Sequence, residues 1–110
     1  MKEIFKKTGA NIGLCLDTAW MLDAGTDPVK AAKMFGERLY GVHLKDFIFS
    51  SCGKPQDVVF GEGGLNLEKF FQTLESINFN GYLSIEYEGD PDNPLPKVLE
   101  CVKKVREVLG

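Results

Sequence analysis

NIGLCLD at 11–17, YGVH at 40–43 and GYLSIE at 81–86 decide the fold. Each is a short apolar run ending in a residue that can bind a divalent cation: Asp17, His43 and Glu86. Each is followed by a turn and a helix-like segment. In a parallel β/α fold the C-terminal ends of all strands lie on one face, and ligands bind there. One Asp, one His and one Glu on that face make a carboxylate–imidazole set suited to Mn, Mg, Co or Zn.

The rest of the chain reads outward from these runs. In the first strand, 11–17, Ile12, Leu14 and Leu16 alternate with Gly13 and Cys15, so both faces are small or apolar. That pattern suits a strand covered on both sides, with Cys15 as a small buried side chain. The second strand spans 39–44 and the third 82–87. Asp27-Pro28 opens a helix over 28–36, with Asp as N-cap and Pro at the first helical position. Asn66 caps a helix over 67–77, where Leu67, Phe70, Phe71, Leu74 and Ile77 recur at helical spacing. A last helix over 94–109 carries Leu95, Val98, Leu99, Val102, Val105 and Leu109 as one stripe. Met1–Lys7 reads as the end of a further helix, stopped at Gly9. Thr18–Thr26 reads as a connection with one short helical turn, and Asn80-Gly81 as a turn. Lys45–Gly64 reads as a long irregular stretch, of a length that tends to be functional or mobile. The order βαβαβα predicts an α/β domain with right-handed crossovers.

Composition narrows the function classes. At 110 residues one domain is expected. A net charge of −3 gives no electrostatic footprint for nucleic acid. No apolar run approaches the roughly 20 residues of a membrane-spanning helix, and the charged N-terminus lacks the long apolar core of a signal peptide. Cys15, Cys52 and Cys101 are odd in number and widely spaced, which fits reduced thiols in a cytoplasmic protein.

LDTAW at 16–20, AGTDP at 24–28, HLKDF at 43–47, GEGG at 61–64 and NGYLSIEYEGD at 80–90 follow one another at plausible spacing. Together they resemble the sugar phosphate isomerase/epimerase family, whose barrels are of the xylose-isomerase type. The resemblance covers almost the whole chain and implies three consecutive β/α units, strands six to eight, of a TIM (β/α)8 barrel. It further implies a divalent metal held by Glu, Asp, His and Glu from strands five to eight. Asp17, His43 and Glu86 match the last three, and the first Glu falls upstream of Met1. The implied chemistry is isomerisation or epimerisation of a sugar or sugar phosphate. The metal chelates carbonyl and hydroxyl oxygens and stabilises an enediolate, with Glu86 as one of two acid–base groups. DNA-repair enzymes that share this barrel use several histidines in a multi-zinc site, whereas this chain has one.

Several residues keep two readings. Asp17 serves as a metal ligand or as a cap on the following turn. Lys45 binds a substrate phosphate or hydroxyl, or forms a surface salt pair with Asp46. Asp46 is otherwise expected to orient His43 or Lys45. Trp20 stacks on a sugar ring or packs against neighbours. GEGG forms an anion site, with Glu62 turned toward the substrate, or a plain turn. Glu88, two residues after Glu86, supports the site from behind or is solvated. A complete (β/α)8 barrel needs about 250 residues, so three units leave two open edges that recruit other chains. A homo-oligomer, most simply a dimer, is therefore expected, with aggregation as the alternative. Two functions follow: an isomerase or epimerase domain completed by the missing units, or a non-catalytic half-barrel with relic metal residues.

Overall fold

The computed structural model describes residues 2–110, so Met1 of the expected N-terminal helix lies outside the described residues. The elements follow in the order α1 (Lys2–Lys6), β1 (Leu14–Asp17), α2 (Thr18–Asp23), α3 (Pro28–Phe35), a 3-10 turn (Gly36–Arg38), β2 (Leu39–Leu44), β3 (Asp46–Phe49), β4 (Pro55–Val58), α4 (Leu67–Ser76), β5 (Tyr82–Ile85) and α5 (Leu95–Leu109). β1, β2 and β5 form a parallel sheet in that spatial order. The arrangement is three consecutive β/α units of a partial TIM-type barrel.

Local chemistry starts α3 and α4. The Asp27 side chain accepts from the Val29 N–H at 2.9 Å with Pro28 at the first helical position, and the Asn66 side chain accepts from the Lys69 N–H at 3.1 Å. Asn78, just past α4, takes the left-handed conformation that asparagine tolerates at a helix end. Leu16, Val42 and Leu44 point to one side of the sheet and pack with Ala32, Phe70 and Leu74 of the helices. At the other end of β2, the Arg38 guanidinium donates to the carbonyls of Phe5, Gly9 and Ile12, which holds the N-terminal segment to the sheet.

The sheet is covered on one side only. Cys15 is exposed, contrary to the expectation of a buried thiol, because the alternation that buries Leu16 turns Cys15 to the open face. β1 is also shorter than 11–17. Its register slips between Leu14 and Cys15, and the Tyr40 ring occupies the space beside Gly13. α5 packs through Cys101, Val105 and Val108, while Leu95, Leu99 and Leu109 of the expected stripe are exposed.

The largest departure lies in 45–64. This stretch is no irregular loop: β3 and β4 form an antiparallel hairpin pairing Asp46 with Val58 and Phe49 with Pro55. Its base is tied back by the Gly64 N–H, which donates to the Phe47 carbonyl at 3.1 Å. At Gly63 any Cβ would collide with that same carbonyl and with the Asp46 carboxylate. Gly63→Ala is accordingly expected to cost about 1–3 kcal/mol, the range for forcing atoms into filled space. Denaturant unfolding checks this, and an unchanged midpoint would show that the turn relaxes freely.

Candidate functional site

Strand register assembles the three strand-end residues. Asp17 lies opposite His43 and His43 opposite Ser84, so Glu86, two residues beyond Ser84, returns to the same open face. His43 Nδ1 is 4.0 Å from Asp17 Oδ2 and 4.0 Å from Glu86 Oε1. The imidazole thus stands between two carboxylates, one from each neighbouring strand. Asp17 divides its two oxygens. Oδ1 caps α2 by accepting from the Trp20 N–H at 3.0 Å, which leaves Oδ2 to face His43.

Two carboxylates and an imidazole are donors of the type a borderline or hard divalent cation takes. As they stand, no three His, Cys, Asp or Glu side chains among the described residues are close enough together to hold an ion. The donor set fits a divalent cation in chemistry, while coordination would require the side chains to draw closer than their present 4.0 Å separations. The site lies on an open face. A surface cavity of about 410 Å³ lies elsewhere, between the starts of α3 and α4.

Behind the strand ends sits a second group. Lys45 is only 2% exposed, and its Nζ lies 3.4 Å from Asp57 Oδ2 and 3.3 Å from Glu88 Oε1. A buried ammonium persists only when paired, so these two carboxylates already engage the charge expected to meet a substrate phosphate. Trp20, about half exposed, packs edge-on against Phe47, with the Lys45 ammonium 5.9 Å from its ring. Glu88, expected either to support the site or to be solvated, has a side chain 71% exposed whose Oε1 reaches Lys45 Nζ at 3.3 Å.

Asp46 does something other than orient His43 or Lys45. It is buried, and its carboxylate accepts from the backbone N–H groups of Gly61, Gly63 and Leu65 at 3.0, 3.0 and 2.9 Å. It therefore organises the GEGG turn, leaving no open anion cradle at those N–H groups. Burial pushes its carboxyl up from the ordinary value, against the downward pull of the N–H donors. Glu62 is exposed and borders a crevice of about 220 Å³ with Tyr87, Asp90 and Lys97. There the Tyr87 hydroxyl donates to Asp90 Oδ2 at 2.6 Å, and burial together with that carboxylate raises its pKa.

Sequence reading missed Thr18 and Asp57. Thr18 is fully buried, and its Oγ1 donates to the Lys45 carbonyl at 2.5 Å and accepts from the Lys45 N–H at 2.9 Å. It joins the start of α2 to the end of β2. Its position directly after Asp17 was the available signal. Asp57 sits in KPQDVV, where nothing local marks it, because its partners lie 12 and 31 positions away.

Comparison with known proteins bears on the family and the fold. The model for the xylose isomerase-like TIM barrel matches residues 1–105. An inosose dehydratase of Clostridium perfringens is 28% identical over 110 residues, covering 86% of this chain and 37% of its own length. The solved xylose isomerase domain protein of Planctomyces limnophilus superposes with a TM-score of 0.77 at 24% identity, over 97% of this chain and 40% of that one. The IOLI protein, solved with a bound zinc atom, superposes at a TM-score of 0.70 and 21% identity, over 91% of this chain and 38% of that one. The chain thus spans little more than a third of the curated relatives it matches. With the family model covering almost its full length, the chain belongs to the xylose isomerase-like TIM barrel family.

Proposed function

We propose that this chain provides the metal- and proton-handling rim of a carbohydrate isomerase or epimerase, acting beside the carbonyl of a sugar or sugar phosphate. The observation that carries this reading is the placement of Asp17, His43 and Glu86 on one face, at the ends of three adjacent parallel strands, with both carboxylates 4.0 Å from the imidazole. A divalent cation (Mn, Mg, Co or Zn) held by these residues supplies a Lewis acid for carbonyl and hydroxyl oxygens. Glu86 then exchanges a proton at the neighbouring carbon as general base and acid. Trp20 presents a half-exposed ring to the apolar face of a sugar. Dehydration beside a carbonyl opens with the same proton removal, so similarity to an inosose dehydratase supports the shared first step. Turnover belongs to the completed barrel, since the described sheet has three strands.

Calorimetric titration with Mn2+ tests this. His43→Ala, Asp17→Asn and Glu86→Gln are each expected to weaken binding on the order of 100-fold or more, at or above the top of the roughly 10–100-fold range for residues that only support ligands. Binding unaffected by all three would sink the proposal.

A second reading rests on the exposed Leu95, Leu99 and Tyr82: a non-catalytic oligomeric half-barrel that retains the three residues as relics. It expects those same substitutions to leave both stability and cation response unchanged. Three unpaired cysteines support a reducing, cytoplasmic setting. Among the described residues no helix is long and apolar enough to cross a membrane.

A further inference from the structure

We infer that Asp57 is a positioning residue that latches the β3–β4 hairpin to the chain just beyond Glu86 and holds Lys45 beside the strand ends. The inference rests on the role proposed above for Glu86. The Glu86 N–H donates to the Leu44 carbonyl at 3.0 Å, continuing the β2–β5 ladder. Two residues later the Glu88 N–H donates to a side chain, Asp57 Oδ2, at 3.0 Å. The same oxygen is 3.4 Å from Lys45 Nζ. Glu86 is therefore framed by a strand bond at its own amide and by the Asp57 carboxylate shortly after it.

The latch has a firm side and a soft side. The Asp57 side chain is 12% exposed, so water competes weakly at its pairing with Lys45, while its bond from the Glu88 N–H is open to solvent; the Glu88 side chain is 71% exposed and its contact with Lys45 adds little. Asp57 is itself held in place, because it pairs with Phe47 across the hairpin, and Asp46 and Gly64 anchor that hairpin at its base. Lys45 Nζ also lies 5.4 Å from the Phe47 ring and 5.9 Å from the Trp20 ring. Without Asp57 the ammonium is left buried with only the exposed Glu88 as partner. It then moves toward water and disturbs the Trp20–Phe47 contact.

Asp57→Ala and Asp57→Asn in the full chain separate the two tasks. Asp57→Ala removes both, and is expected to speed hydrogen exchange at the Glu88 amide at least tenfold and to weaken Mn2+ binding about tenfold. Asp57→Asn keeps an oxygen for the Glu88 N–H but loses the charge facing Lys45. It is expected to leave that amide slow while shifting the emission of Trp20, the single tryptophan. Exchange at Glu88 that is unchanged, or raised equally throughout the chain, would overturn the latch. So would unchanged Mn2+ affinity in a chain that binds the ion. If the parent chain binds no Mn2+, the proposed function fails, and the exchange rate alone decides for or against the latch. If Asp57→Ala does not fold, Asp57→Asn decides, and unchanged Trp20 emission overturns the inference.

Discussion

Asp46→Ala is expected to lower stability by roughly 3–5 kcal/mol, because it strips three backbone N–H groups of their acceptor at once. An unsatisfied buried donor costs about 1–3 kcal/mol; the Leu65 N–H is buried and bears that in full, while the part-buried Gly61 and Gly63 N–H groups are reached by water and each add less. Gly61, Gly63 and Leu65 lose their partner together, so the turn that joins β4 to α4 is expected to loosen as a unit. For a domain of this size that is a fall in thermal midpoint on the order of 20 °C, or no cooperative transition at all. A fall of only a few degrees would show that the turn holds itself. The pH dependence has a definite sign. The folded-state pKa of Asp46 is raised above the ordinary 3.8 by burial, so the native state holds this proton more tightly than the unfolded chain does. Its contribution is therefore fully present below that ordinary value and declines as pH rises through the raised one. Asp46→Asn, which cannot titrate, is expected to lose that part of the slope when unfolding is followed across the same range.

In gel filtration with light scattering the chain is expected to appear as a discrete dimer. The open face and both sheet edges call for cover. β1 and β5 are each paired on one side only. Tyr82 on β5 is 88% exposed, and Leu95, Leu99 and Leu109 form a ridge along α5 at 60%, 58% and 65%. An apolar edge of this kind draws another chain, and a stable contact needs about 800 Å² from each partner. Tyr82→Arg combined with Leu99→Arg is expected to halve the mass, with a large loss of thermal stability. A parent chain that is monomeric and melts cooperatively would mean that three β/α units cover their own core, and the dimer proposal would be wrong.

The elements legible in the sequence were those whose signal is local. β2 at 39–44 and α4 near 67–77 follow from apolar periodicity, and the N-caps Asp27 and Asn66 act within three residues of themselves. The shared face of Asp17, His43 and Glu86 was legible too, since parallel strands place their ends together and alternation decides which side chains share a side. The hairpin at 46–58 was not. Its strands are four residues each and partly polar, and they form by pairing with each other rather than through any run of apolar residues. The exposure of Cys15 and Leu99 was equally hidden, because an apolar side chain carries no mark of whether a neighbouring unit covers it.

Sequence alone determined the parallel β/α order, from the succession of apolar runs and helical patterns, and the starts of α3 and α4, from caps that act within three residues. Tertiary structure decided the partners of the charged side chains. Asp46 turned to Gly61, Gly63 and Leu65, and Lys45 to Asp57 and Glu88. A buried charge takes whichever partners the folded backbone brings within reach, and those partners lie up to 43 positions away, beyond any local pattern.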